Sequence, residues 1–123
     1  MAKSWGPYLM VSSSLSKANS KKVILNESFN FDLLRQELIS AGLPLEIVKV
    51  SNPWYYRRKY NARWLKIGES SDIENDFPVE WDITGLEVGR YEVMGLMHMF
   101  GEEDCLEKLV TVGQNIAEVT VKN

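Results

Sequence analysis

His98 is the single histidine of the chain and Cys105 the single cysteine. Catalysis by an activated serine or cysteine needs a base beside the nucleophile and a third group to orient that base. His98 stands among Met97, Met99 and Phe100 in a β-prone run, which reads as a packed or rim histidine rather than a base. A zinc site from His98 and Cys105 would lack two ligands, and one cysteine allows neither an internal disulfide nor a multi-cysteine metal motif. Asp72, Glu74 and Asp76 alternate as calcium-binding oxygens can, but the run lacks the glycine and distal glutamate of an EF-hand loop, so it reads as a solvated acidic loop. Glu102, Glu103 and Asp104 read as a charged hairpin tip that discourages edge pairing. No catalytic residue, metal site or cofactor follows, and the expectation is a chain that is not an enzyme.

Residues 54–66 carry the other chemistry. Trp54, Tyr55, Tyr56, Tyr60 and Trp64 are interleaved with Arg57, Arg58, Lys59, Arg63 and Lys66, a mixture that can stack on bases or sugars and pair with phosphates. The whole chain holds 14 Lys and Arg against 17 Asp and Glu, a net charge of -3, which gives little long-range attraction for phosphate backbones or anionic membranes. Nucleic acid and membrane are therefore not the expected partners. Because strands alternate inside and outside, some of these aromatics must be core. A glycan-binding surface built from Tyr55, Tyr60 and Trp64 is the alternative to a protein contact.

The elements that position these residues are mostly strands. A chain of 123 residues with 45% hydrophobic and 25% charged residues suits a single globular domain, 1–123. Residues 8–11 and 22–25 are short β-prone runs; the polar residues Asn26, Glu27 and Ser28 break the second, which is either short or continues through Phe29. Phe31, Leu34, Leu38 and Ala41 recur at spacings of three and four behind Asn30, an N-cap residue, and ahead of Gly42 and Pro44, which predicts a helix over about 31–41. From Leu45 the period becomes two. Residues 45–58 read as one long strand broken at Asn52 and Pro53, where a bulge or a sheet edge suits the proline. Residues 63–67 return as the next strand. Phe77, Val79, Trp81 and Ile83 alternate with polar residues as a half-buried strand does. A strand from Tyr91 to about Phe100 follows, then a hairpin turn at 101–104. The last strand joins residues 109–112 to 117–121, interrupted at Gly113.

Three stretches resemble bacterial immunoglobulin-like and fibronectin type III-like modules: WYYRR followed after five residues by WLKIG (54–68), VEWDITGLEVGRYEV (79–93) and the closing AEVTV (117–121). The resemblance spans about residues 50–121. It implies a mainly β, seven-stranded immunoglobulin-like antiparallel β-sandwich carrying one inserted helix. It also implies a tyrosine corner at Leu86, Gly89 and Tyr91, the tyrosine hydroxyl bonding back to upstream backbone. Such a fold hosts many unrelated roles, so the resemblance speaks to architecture rather than to function.

The strand after that corner departs from the usual pattern. If Tyr91, Val93, Gly95 and Met97 face the core, then Glu92, Met94, Leu96, His98 and Phe100 face the other way, and only Glu92 of these is charged. A sandwich strand normally shows water a polar face, so something should cover this one. The candidates are the helix at 31–41, the N-terminal residues Trp5, Tyr8 and Met10, or another protein chain. The expected function is a non-catalytic protein-interaction or structural assembly module that self-associates or docks to a larger protein assembly. Its interface is expected at Met94, Leu96, His98 and Phe100, joined by Trp54 and Tyr56. Residues 1–8 contain no apolar run of the length a secretory signal needs. The compartment is cytoplasmic if Met1 is the native start, and extracellular or virion if a leader was removed or the chain is exported without one.

Overall fold

The computed structural model describes residues 8–18, 21–42 and 46–123. Period-two patterning dominates these, and strands follow from it: β1 (Tyr8–Met10), β2 (Ser14–Ser16), β3 (Lys22–Ser28), β4 (Glu46–Arg58), β5 (Leu65–Ser70), β6 (Val79–Asp82), β7 (Gly89–Glu103) and β8 (Leu106–Lys122). The helix α1 (Phe31–Ser40) lies between β3 and β4, and a 3-10 turn (Ile73–Asn75) precedes β6. A three-stranded sheet runs β1-β3-β6 and a five-stranded sheet runs β2-β8-β7-β4-β5. β2 pairs with β8 in parallel, and the other pairs are antiparallel.

The two sheets share one apolar layer. Leu25, Val79, Trp81 and Ile83 meet Trp54, Tyr91, Val93, Val119 and Val121 in a single buried cluster. The molecule is thus mainly β, with two sheets packed as a sandwich. The alternation in residues 77–83 is seen as expected: Phe77, Val79, Trp81 and Ile83 are buried while Glu80 and Asp82 are exposed.

Eight strands stand where the sequence pattern predicts seven, because the N-terminal run divides. β1 joins one sheet through β3, and β2 joins the other through β8. β3 runs on through Asn26, Glu27 and Ser28, the longer of the two extents expected of it. Pro53 is not at a sheet edge, since β4 lies between β7 and β5. It sits instead where the ladder to β7 steps from Ser51 opposite His98 to Trp54 opposite Gly95, an interruption that tolerates a residue without an N–H. β8 is continuous through Gly113, and the hairpin tip falls at Asp104 and Cys105 rather than at 101–104.

The helix forms as its sequence requires. Asn30 Oδ1 accepts a hydrogen bond from Leu33 N at 3.1 Å, and Leu34 and Leu38 are buried. They pack with Val50, Phe77, Met97 and Met99 in a second cluster, on which Phe29 and Phe31 also rest. Burying each leucine contributes about 2 kcal/mol, enough to hold a ten-residue helix that would be marginal alone. Met97 and Met99 belong to the inward face of β7, so α1 extends the core and does not cover the outer face. Pro44 and Leu45 lie outside the described residues. No helix among the described residues is long and apolar enough to cross a membrane.

Candidate interaction face and a buried carboxyl

β7 is the central strand of the five-stranded sheet, and its two faces separate cleanly. Tyr91, Val93, Gly95, Met97 and Met99 are buried against the core. Glu92, Met94, Leu96, His98 and Phe100 alternate with them on the outer side. Cross-strand register sets their neighbours: Arg57, Tyr55, Ser51 and Lys49 of β4 stand opposite Glu92, Met94, His98 and Phe100. From β8, Glu118, Ile116, Gln114, Val112 and Leu109 complete the rows. Met94 is buried among these side chains, with Gln114 Nε2 donating to its sulfur at 3.5 Å. Leu96, His98 and Phe100 are half-buried. Leu109, Val112 and Ile116 keep 53%, 41% and 42% of their surface in water. No described element lies over this face. The helix is on the other side of the sheet, Met10 is exposed on the three-stranded sheet, and Trp5 lies outside the described residues.

Both ends of the apolar zone are ringed by ion pairs. Arg57 pairs with Glu92 at 3.0 Å and Lys59 with Glu118 at 2.9 Å at one end; Lys49 pairs with Glu107 at 3.8 Å at the other. Lys49 Nζ also lies 5.1 Å from the Phe100 ring centroid. An apolar centre with a charged rim is the usual anatomy of a protein contact.

Trp54 and Tyr56 do not belong to this face. Trp54 is fully buried, its indole N–H donating to Phe77 O at 3.3 Å, and the Tyr56 ring packs 5.4 Å from Trp81 and 6.4 Å from Tyr91. The period of two defines two faces of β4 but not which turns inward. Val50, Trp54 and Tyr56 are the more apolar set and take the core, leaving Tyr55 outside beside Met94. Sequence reasoning missed Leu109, Val112 and Ile116. Their signal was the alternation of Val112 and Ile116 with Gly113 and Asn115 on a strand taken as broken at Gly113.

The remaining candidates are dispersed. Tyr60 stands exposed at the β4–β5 turn, while Trp64 carries the Arg57 guanidinium over its ring at 4.3 Å. None of the ring contacts among the described residues joins Tyr55, Tyr60 and Trp64. The nearby cations are largely neutralised: Arg58 pairs with Glu87 and Lys66 with Glu69, beside the pairs of Arg57 and Lys59. Glu87 holds the Arg58 pKa up, and Glu118 does the same for Lys59. His98 Nδ1 lies 3.1 Å from Leu96 O on its own strand, and Cys105 is exposed at the hairpin tip. No group of three or more His, Cys, Asp or Glu side chains among the described residues is placed to hold a metal ion.

At the crossing between the sheets, Tyr91 Oη donates to Glu87 O at 2.7 Å, the bond expected of a tyrosine corner. Burial pushes the phenol pKa up. Leu86 packs on the core, and its N–H donates to Ile83 O at 3.1 Å. Gly89 has φ +155, a backbone conformation that side chains rarely adopt, so the corner favours glycine there.

One feature of the core was not foreseen. Glu27 takes the inward position after Val23 and Leu25 on β3, and both it and Asn52 are 0% exposed. Asn52 Nδ2 donates to Glu27 Oε2 at 2.5 Å. Burial pushes the Glu27 carboxyl up to about 7, with the Asn52 hydrogen bond opposing the rise. Gly95 makes the space: a Cβ there would sit 3.0 Å from the Glu27 carboxyl carbon and closer still to Oε2. Comparison with protein-family models, with curated proteins and with solved structures finds no match to this chain.

Proposed function

We propose that this chain is a non-catalytic assembly module of immunoglobulin-like type, which associates with a second copy of itself through the outer face of its five-stranded sheet. The observation that carries this reading is the apolar row of Leu96 and Phe100 with Leu109, Val112 and Ile116, over which no described element lies. Burial of such a row on association releases water from contiguous apolar surface. β8 adds backbone to the same region. β2 pairs only with residues 120–122, and no other described strand pairs with the outer edge of β8. Such an edge is a template for another strand. The immunoglobulin-like assignment draws support from the three-plus-five sheet order, the parallel β2–β8 pair and the Tyr91–Glu87 bond.

Sedimentation velocity over a hundredfold range of concentration tests the proposal. The wild-type chain is expected to shift from monomer to a larger species. The double variant Leu96→Glu and Ile116→Glu should remain monomeric while keeping its thermal unfolding midpoint within a few degrees. A wild-type chain that stays monomeric throughout, or a double variant that associates as well as wild type, overturns it.

A further inference from the structure

We infer that Glu27 is held as a neutral carboxylic acid in the folded protein, closed into a two-bond pair with the Asn52 amide, and that this pair makes the sandwich loosen as its proton is lost. The argument starts from acceptors. Glu27 Oε1 and Asn52 Oδ1 are both buried, and neither has a hydrogen-bond donor among the described residues. An ionised carboxylate and an amide oxygen are acceptors only, so a charged Glu27 leaves both without a donor in the core. A proton on Oε1 supplies the missing donor. Oε1–H can then donate to Asn52 Oδ1 while Asn52 Nδ2–H donates to Glu27 Oε2, the bond seen at 2.5 Å.

The surroundings favour the neutral form. Gly95 gives the carboxyl a slot without room for a side chain, and Glu27 N donates to Asp76 O at 2.9 Å, which fixes the strand beside it. Among the described residues, burial and the Asn52 bond are the influences on the carboxyl, and no cation is among them. On β4, Lys49 is exposed and Arg57 pairs with Glu92 on the outer face; on β7, Glu92 and His98 alternate away from Gly95. On β8, Glu118 pairs with Lys59 on the outer face. Asp72, Glu74 and Asp76 around the 3-10 turn are exposed, and the described side chains of β1, Leu9 and Met10, carry no charge. Burial is the leading cause of the raised carboxyl pKa, about 7 against an ordinary 4.5.

The sign follows by linkage. Because the folded-state pKa lies above the unfolded one, the neutral acid's contribution is complete below about pH 4.5 and is lost as pH rises through about 7. The pair joins β3 of one sheet to β4 of the other, at the place where the β4–β7 ladder skips Asn52 and Pro53. Loss of the proton therefore acts on the packing of sheet against sheet.

Glu27→Gln is the informative variant, since a glutamine amide can donate where the protonated acid donates and never ionises. Denaturant unfolding at pH 5, 6, 7 and 8 should show the wild-type folding constant falling relative to the variant by roughly 100-fold across that range. Parallel curves for the two proteins overturn the inference. So does a variant as unstable at pH 8 as Glu27→Ala. Should Glu27→Gln fail to fold, carbon-13 titration of the wild-type Glu27 carboxyl decides: a midpoint near 7 supports the neutral acid, and one near 4.5 refutes it.

Discussion

Asp104 and Cys105 turn the β7–β8 hairpin with φ of 53 and 64, both in the left-handed region. Two-residue hairpins favour this conformation because its twist matches that of the strands, and glycine is preferred at the second position. Aspartate tolerates it; cysteine bears a steric cost there. Cys105→Gly is therefore expected to stabilise the fold by about 0.5–1 kcal/mol in denaturant unfolding, net of the glycine's greater freedom when unfolded. Side-chain positions varied in how far the sequence disclosed them. The corner at Leu86, Gly89 and Tyr91 was implied by the resemblance, and at that place Tyr91 Oη bonds the backbone of Glu87. The burial of Glu27 was not legible, since a charged residue after Asn26 reads as a solvent-facing group or a strand break rather than as core. Only the acceptor of its N–H, Asp76 O, and the partner of its carboxyl, Asn52, show that the strand continues. Trp54 and Tyr56 were assigned outward although they are inward. Alternation alone is symmetric between faces, and the choice is made by the opposing sheet, here by Trp81 and Tyr91.

At the scale of elements, α1 was readable nearly to its ends. Its 3.6-residue period, the Asn30 cap and Gly42 at φ 74 are local signals, and the observed Phe31–Ser40 differs from the expectation by one residue. Its docking was not readable, because the apolar stripe of a helix does not say which sheet face it meets. Leu34 and Leu38 prove to extend the core over Val50, Met97 and Met99. Leu38→Ala should therefore destabilise the fold by roughly 2–4 kcal/mol through the cavity it leaves, with no gain or loss of self-association once folded. A change in association under folding conditions would place the helix in the contact instead. β8 was read as one strand interrupted at Gly113. It runs through without interruption, Gly113 being buried opposite Met97 with its neighbours Val112 and Gln114 paired to His98 and Leu96.

For the whole molecule, the five-stranded sheet presents two apolar faces. One is satisfied by the three-stranded sheet and α1, and the other is bordered by the Arg57–Glu92, Lys59–Glu118 and Lys49–Glu107 pairs. Those rim pairs are solvent-exposed or half-exposed, contribute at most about 1 kcal/mol each, and are weakened by salt. The apolar centre therefore sets the strength of association, and the rim sets its orientation. Hydrogen exchange at low and high protein concentration, read amide by amide, tests the central claim most directly. Protection is expected to rise with concentration along β8 from Lys108 to Ile116 and along the facing stretch of β7, and to stay constant in β1, β3 and β6. Exchange rates independent of concentration, or added protection confined to the three-stranded sheet, would contradict the account.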